Sequence, residues 1–138
     1  MKQITVAVCI DDENGRMFGG RRQSRDRVLI ADLLREAADR SVYIGEYSRP
    51  LFGNDVQVTV CKDPIADCAD GGVCFAEEQP LKPHLGSIGV LILYRWNRLY
   101  PADVYLDIDP MRDGFSLISS SEFTGSSHEK ITKEVYGK

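Results

Sequence analysis

The longest apolar run of the sequence is Ile88–Tyr94, which reads IGVLILY. A continuous apolar stretch of this length is typical of a strand that is buried on both faces. The run is too short to cross a bilayer, which needs about 20 apolar residues in a helix. We therefore predict that Ile88–Tyr94 is the most buried strand of a soluble α/β protein.

Shorter strand-like runs lie on both sides of this one. Residues 3–10 alternate and then become continuously apolar, which favours a strand buried on at least one face. Other runs that are β-branched, alternating or apolar lie at residues 42–45, 56–60, 73–76, 104–108 and 115–118. The second and third strands are too close together for a full helical crossover, so we expect at least one antiparallel pair.

The clearest helical pattern spans residues 25–40. Ser24 is the predicted N-cap of this helix. The apolar residues that share one face of it are Ile30, Leu33, Leu34, Ala37 and Ala38. This segment predicts an amphipathic helix that covers one face of the sheet.

A second helix start is predicted near the C-terminus. Ser126 and Glu129 have the spacing of a capping box, and Ile131 and Val135 are four residues apart, as on one face of a helix. Residues 64–69 also allow one or two helical turns. Taken together, residues 1–138 predict a single α/β domain with a mixed β-sheet of about five to seven strands and two or three helices.

The cysteines and the N-terminus indicate a cytoplasmic protein. The first apolar stretch runs directly into acidic residues without a cleavage site, which is unlike a secretory signal. The four cysteines lack the C-x2-C spacing of a zinc knuckle: Cys9, Cys61, Cys68 and Cys74. We expect no disulfide framework, no structural metal, no cofactor and no membrane association.

Charge is distributed unevenly along the chain. The net charge of −4 argues against non-specific binding of nucleic acid by the whole surface. Residues 16–27 nevertheless carry a net charge of +4, which leaves −8 for the rest of the chain. The arginines of this segment are Arg16, Arg21, Arg22, Arg25 and Arg27.

This arginine-rich segment predicts an anion-binding loop. Gly19 and Gly20 permit close backbone approach, and arginine suits both phosphate and carboxylate. In the predicted helix, Arg25 and Arg27 lie in the first turn, where a bound anion would offset the unfavourable interaction with the helix dipole. Our leading hypothesis is an anionic small molecule bound by Arg21, Arg22, Arg25 and Arg27. The alternative is internal pairing of these arginines with Asp11, Asp12 and Glu13.

Aromatic and basic residues alternate directly after the central strand, over residues 94–101. Trp96 is the only tryptophan of the chain, and with Arg98 it could complete a ligand pocket, because such strand ends border the crevice of open α/β sheets. The alternative is that Trp96 closes one end of the core.

Two other functions remain open from the sequence. Asp11, Asp12 and Asp107, with Asp103 and Asp109 nearby in the chain, could hold Mg²⁺ for a phosphoesterase or nuclease if their strand ends meet. The protein could instead be an interaction module whose basic loop docks an acidic partner or a second copy of itself.

Three stretches resemble a family of short uncharacterised bacterial proteins that are often labelled ribonuclease Z. They are residues 18–27, 93–103 and 127–132. The resemblance implies a bacterial protein of this length. The two-zinc motif H-x-H-x-D-H of ribonuclease Z is absent, since the only histidines are His84 and His128.

Overall fold

Two β-sheets and a few helices make up the computed structural model, which describes residues 2–54 and 57–138. The strands are β1 (Ile4–Ile10), β2 (Gly15–Phe18), β3 (Arg21–Arg22), β4 (Val42–Gly45), β5 (Val58–Cys61), β6 (Val73–Phe75), β7 (Ile88–Arg95), β8 (Val104–Tyr105), β9 (Ser116–Phe123) and β10 (Ile131–Gly137). The α-helices are α1 (Arg27–Ala37) and α2 (Arg49–Phe52), and 3-10 segments span Glu46–Ser48 and Lys82–Ser87.

The large sheet has seven strands in the order β5-β4-β6-β1-β7-β10-β9. Strand β1 lies between β6 and β7 and is parallel to both. Strand β10 runs antiparallel to β7 and β9. The predicted α/β fold with a mixed sheet is confirmed, and Ile88–Tyr94 is a central strand of that sheet.

Both faces of the central strands are covered, which explains their continuous apolar sequence. On one face, Ala7 of β1 and Ile92 of β7 pack in a cluster with Leu29 and Leu33 of α1. The other face is covered by residues from other segments of the chain. The cluster on this face includes Val6, Val8 and Ile10 of β1 together with Ile65, Leu81, Ile108 and Phe115. The large sheet is therefore a central layer with α1 on one side.

Helix α1 is shorter than predicted and has a different cap. It begins at Arg27, and the carboxylate of Asp26 accepts hydrogen bonds from the amides of Val28 and Leu29. Ser24 lies outside the helix, so the predicted Ser24 cap is wrong. An aspartate at this position supplies the negative charge that a helix N-terminus favours, and it does so within the chain.

The predicted C-terminal helix is also wrong, because residues 131–137 form β10. Ile131 and Val135 do lie on one face of the chain, packed in or against the cluster that contains α1. Residues four apart share a face in a strand as well as in a helix, so this spacing does not distinguish the two. Pairing with β7 decides in favour of the strand.

The arginine-rich segment, residues 16–27, was expected to be a loop, but it contains most of β2 and all of β3. Strand β2 pairs with β3 and β8 in a separate three-stranded sheet, of order β3-β2-β8. Gly19 and Gly20 have φ values of 60° and 75° and reverse the chain between β2 and β3. This hairpin brings the arginine-rich segment over the end of the large sheet.

Two other expectations differ in detail. At least one antiparallel pair was expected, and β10 forms two of them, with β7 and β9. Strands β4 and β5, which suggested it, are parallel, because the connection between them holds a 3-10 turn and α2 and so crosses over the sheet. Residue 56, which began the predicted strand, lies outside the described residues. Of the one or two helical turns expected over residues 64–69, a single turn forms at 64–66, closed by a 2.9 Å bond from the amide of Asp67 to the carbonyl of Asp63. No helix in the described part of the chain is long and apolar enough to cross a membrane.

Candidate functional site

A narrow cleft, with an interior of about 20 Å³, opens at the carboxyl ends of the parallel strands β1, β6 and β7. The N-terminal end of α1, the β2–β3 hairpin and α2 complete its wall. The chain leaves β1 toward one edge of the sheet and returns through β6 to β7 on the other side of β1. Ligands of open α/β sheets bind at such reversals of strand order.

The walls of the cleft are mainly apolar. Trp96 follows β7, Phe75 ends β6, and Ile30 and Leu51 come from the two helices. Cys9 of β1 also lines the cleft, and burial raises the pKa of its thiol well above the usual value. A thiol with a raised pKa stays protonated at neutral pH and acts as an apolar group rather than as a nucleophile.

The ring of Trp96 packs against the ring of His128. The two rings are stacked with their centroids 4.6 Å apart. The hydroxyl of Ser127 lies 2.7 Å from His128 Nδ1, and the hydroxyl of Tyr100 lies 2.6 Å from His128 Nε2. Burial lowers the pKa of His128, which favours the neutral imidazole, in which one ring nitrogen donates and the other accepts.

Asp26 connects this aromatic cluster to α1. Besides capping the helix, its carboxylate accepts hydrogen bonds from the backbone amide and the hydroxyl of Ser127, at 2.7 and 2.8 Å. Burial alone would raise the pKa of Asp26, but the hydrogen bonds from Ser127, Ser126 and Leu29 outweigh it and lower the pKa. The carboxylate of Asp26 therefore already occupies the N-terminus of α1. The sequence had suggested that a bound anion would lie at this helix end.

Arg16 lies in the wall of the cleft with only 4% of its surface exposed. Its Nη1 and Nη2 donate to the backbone carbonyls of Gln79 and Ala76, at 2.7 and 3.0 Å. Its Nε has no hydrogen-bond partner among residues 2–54 and 57–138. No salt bridge joins Arg16 to a carboxylate of the described residues.

Gln23 is the second residue of the cleft with an unused polar atom. Its Nε2 donates to Asp11 Oδ2 at 2.9 Å, whereas its buried Oε1 has no partner. Gly15 is needed here, because a Cβ at that position would lie 2.7 Å from Gln23 Nε2 and 2.8 Å from Asp11 Oδ2.

The six residues predicted from the sequence are only partly brought together. Arg22, Arg25 and Trp96 line the cleft, whereas Arg21 and Arg27 are exposed outside it. Arg98 lines a separate cavity that shares Trp96 and His128 with this region and also contains Lys130. Including Arg16, the side chains that line the cleft carry three positive and two negative charges, a net +1.

Arg22 and Arg25 differ in their partners. Arg22 forms two hydrogen bonds with Glu77, at 2.9 and 3.0 Å, and its guanidinium lies 4.2 Å from the centre of the Tyr47 ring. The bond to Glu77 raises the pKa of Arg22. Arg25 is exposed and makes only a 3.4 Å hydrogen bond to the carbonyl of Pro50. Arg25 is therefore the more available of the two.

Asp11 and Asp107, which were suggested as Mg²⁺ ligands, accept hydrogen bonds from different parts of the backbone. Asp11 accepts bonds from the amides of Glu13 and Gly15, and Asp107 accepts from the amides of Leu81 and Lys82. Over residues 2–54 and 57–138, no three His, Cys, Asp or Glu side chains are grouped so that they could hold a metal ion. The three carboxylates do not form one ligand set.

Sequence reasoning missed Arg16 and Gln23 as site residues. Arg16 contributed only to the charge of the segment, because its segment was read as a loop. Its position between Gly15 and Met17 in a strand was the available signal. The carbonyls that hold it belong to residues 60 and 63 positions away, which no local pattern contains.

Comparison with known proteins gives a fold and no family. No family model matches the sequence, and no curated protein matches it significantly. Among solved structures, the chain is similar to dihydrofolate reductase from Enterococcus faecalis, determined as a complex with NADP(H) and RAB-propyl. The TM-score is 0.68 at 10% sequence identity, over 98% of this chain and 95% of that one.

This result corrects the resemblance suggested by the sequence. The relation to proteins labelled ribonuclease Z is wrong: the fold is that of dihydrofolate reductase, and no family model supports the other assignment.

Proposed function

We propose that the protein binds a small molecule with a planar ring and a phosphate or carboxylate group in the cleft at the ends of β1, β6 and β7. Apolar walls with a few polar groups are typical of small-molecule sites. Trp96 and Phe75 would contact the ring. The net positive charge of the lining favours an anionic ligand over a cationic one.

The single observation that carries this proposal is the state of Arg25. It lines the cleft, is exposed, and has no ion-pair partner in the described part of the chain. An unpaired guanidinium beside an apolar cleft can take a carboxylate or phosphate in a bidentate geometry. Arg21, Arg27 and Arg98 stay predicted contacts for a ligand that extends beyond the cleft, and Arg22 would act while still held by Glu77.

The size of the cleft limits the ligand. The interior of the cleft has about 20 Å³ of space, which is room for about one water molecule and far below the range of about 300–1,000 Å³ for small-molecule sites. Binding of a ring therefore requires the wall of the cleft to open, while the anionic group can meet the exposed Arg25 at the mouth. The ligand class we favour is a compact aromatic anion.

A second candidate function is an NADP(H)-dependent reductase. It is favoured by the fold similarity over nearly the whole chain to a reductase whose structure contains NADP(H). Arg25, which is exposed and lines the cleft, would contact a phosphate oxygen of such a cofactor. Arg98 and Lys130 line the cavity on the other side of Trp96 and offer positive charge for the remainder. When bound, the cofactor would supply hydride, and the chain would orient its ring against Trp96.

Thermal unfolding with a ligand panel tests both candidates. The panel contains benzoate, uracil-6-carboxylate, AMP and NADPH at fixed ionic strength, added to wild type and to the Arg25→Gln variant. A ligand present at a hundred times its dissociation constant stabilises by about 2.7 kcal/mol. We expect at least one anion to raise the Tm of wild type and to lose most of this effect in the variant.

Arg112→Gln is the matched control, because Arg112 is an exposed arginine that lines neither the cleft nor the cavity that contains Arg98. Its ligand response should equal that of wild type. Stabilisation by NADPH but not by AMP or the ring carboxylates would favour the reductase. The absence of any shift with all four compounds would contradict both candidates. Docking of an acidic partner or a second copy, and the cytoplasmic location, stay predictions from the sequence.

A further inference from the structure

A second cavity, of about 320 Å³, shares Trp96 with the cleft and is much roomier. Its volume lies within the range of about 300–1,000 Å³ for small-molecule sites. The lining comes from residues 96–98, after β7, and from residues 127–130, before β10. We propose that this cavity is a separate site for a sugar phosphate, a hydroxylated molecule that carries one phosphate group. The site goes beyond the proposed function, because it does not require a ligand in the cleft.

Two cations line this cavity, and neither is held by a strong internal partner. Arg98 is exposed, its guanidinium lies 5.9 Å from the centre of the Tyr100 ring, and it forms no ion pair in the described part of the chain. Lys130 pairs with Glu122 at 3.0 Å, but both side chains are more than half exposed. An ion pair between exposed side chains contributes little to stability, so Lys130 can exchange it for a bound anion.

The presence of two cations favours a phosphate over a carboxylate. A phosphate monoester carries a charge of about −1.5 to −2 at pH 7 and three acceptor oxygens, so it can meet both Arg98 and Lys130. A carboxylate has one charge and two oxygens. With Glu129 included, the side chains of the lining carry two positive charges and one negative charge, a net +1.

The two segments that carry these cations are joined by Asn97. Its Nδ2 donates to the carbonyl of Lys130 and to Thr132 Oγ1, at 3.2 and 2.9 Å. Because Asn97 directly precedes Arg98, this contact holds the backbone of Arg98 close to that of Lys130. A ligand therefore does not have to bring the two segments together, which lowers the entropic cost of binding.

The rest of the lining favours hydroxyl groups over an aromatic ring. Glu129 is exposed and forms no ion pair with any residue that the structure describes, so its carboxylate can accept from O–H groups. The aromatic side chains offer little surface for stacking, since Trp96 is only 4% and His128 only 8% exposed. A sugar supplies the hydroxyl donors, while its phosphate contacts the cations.

Calorimetric titration of wild type at fixed ionic strength tests the proposal. The compounds are ribose 5-phosphate, ribose, phenyl phosphate and inorganic phosphate. We expect ribose 5-phosphate to bind at least about tenfold more tightly than each of the others, because each of them lacks either the phosphate or the sugar hydroxyls. Equal affinity for ribose 5-phosphate and any of the other three would overturn the assignment to a sugar phosphate, and so would the absence of binding.

Two variants should change the affinity in opposite directions. Arg98→Gln should weaken ribose 5-phosphate by about tenfold, because it removes a charged donor. Glu122→Gln should tighten it by about twofold to threefold, because it releases Lys130 from its ion pair. Damage to the fold does not explain such a gain. Arg112→Gln is the matched control and should bind as wild type does; the same behaviour in either of the other variants would overturn the site.

Arg25→Gln separates this cavity from the cleft. This variant should bind ribose 5-phosphate as tightly as wild type does. A loss of affinity in Arg25→Gln with none in Arg98→Gln would place the phosphate at the mouth of the cleft, which would overturn this inference and support the proposed function. Binding of ribose 5-phosphate as expected, without any response to the ring carboxylates, AMP and NADPH, would overturn the proposed function alone.

The imidazole signals of His128 give a second measurement, which needs no variant. The chain has two histidines, and His84 lies in the 3-10 segment Lys82–Ser87, outside the lining of the cavity. At constant alkaline pH, ribose 5-phosphate should shift the signals of His128 and leave those of His84 unchanged. Signals of His128 that do not move at saturation would overturn the inference.

Discussion

His128 supports the wall of the cleft through Trp96 without lining the cleft itself. Its ring stacks on Trp96, and both of its nitrogens are occupied by the hydroxyls of Ser127 and Tyr100. A neutral imidazole satisfies one donor and one acceptor among these hydroxyls. Protonation would make both nitrogens donors and would bring a charge into a buried position.

We expect the emission of Trp96 to titrate with His128. Burial, opposed by Asp26 and assisted by Arg98, lowers the pKa of His128 in the folded state. The midpoint of the fluorescence change should therefore lie below the usual histidine value of about 6.5. Because the folded-state pKa is below the unfolded one, stability is full above about pH 6.5 and falls as the pH drops from there toward the folded-state pKa.

The measurement is the fluorescence of wild type between pH 4 and 8, with His128→Gln as the control. The variant keeps Trp96, the only tryptophan, and should show no transition in this range. A midpoint at or above 6.5, or the same transition in the variant, would contradict the assignment of the titration to a buried, neutral His128.

At the scale of elements, the turn before β10 is joined to the start of α1. The carboxylate of Asp26 receives both the helix amides and the amide and hydroxyl of Ser127, and the hydroxyl of Ser126 accepts from the amide of Arg27. This junction sets the position of the helix end and of Arg25 at the mouth of the cleft. Gly125 lies at its closest point.

Gly125→Ala should destabilise the protein through this junction. A Cβ at Gly125 would lie against the Asp26 carboxylate and 2.7 Å from Ile131 Cδ1, so one of these groups must move. We expect a loss of about 1–3 kcal/mol in the free energy of unfolding, as for other overpacked sites. Urea unfolding measures it.

Gly86→Ala is the matched control. A Cβ at Gly86 would meet no atom within 4 Å, and its backbone φ is not in the left-handed region. This change should alter the free energy of unfolding by no more than about 0.5 kcal/mol. Similar losses in the two variants would show that the junction at Asp26 is not tightly packed.

At the scale of the whole molecule, stability should fall from the centre of the large sheet toward its edges. Strands β1 and β7 are paired on both sides and covered on both faces. Strand β9 is an edge strand whose residues are exposed except for the half-buried Phe123. The cleft is formed at the end of the central strands, so its wall should be among the more rigid parts.

Native-state hydrogen exchange checks this gradient. The amides of β1 and β7 should exchange only through global unfolding, with an opening free energy equal to that of the whole protein. The amides of β9 should exchange through local opening at a lower free energy. Protection of β9 equal to that of β7 would contradict the gradient and would indicate that another chain covers this edge.

Local patterns in the sequence determined the α/β class, the central strands and the amphipathic face of α1. Apolar periodicity depends only on which face of an element is buried, and this can be seen in a window of about ten residues. Trp96 lines the cleft at the end of the central strand, and its contact with a ligand stays a prediction. The strand β10 was missed because residues 131 and 135 share a face in both kinds of element.

Only the tertiary structure decided the chemistry of the candidate site. Arg16 became a buried donor because the carbonyls of Ala76 and Gln79 meet it from another part of the chain. Arg22 was paired by Glu77, and the helix end was capped by Asp26 instead of being left for a ligand. Whether a charged side chain is paired, buried or free depends on residues distant in sequence, and no pattern within one segment contains that information.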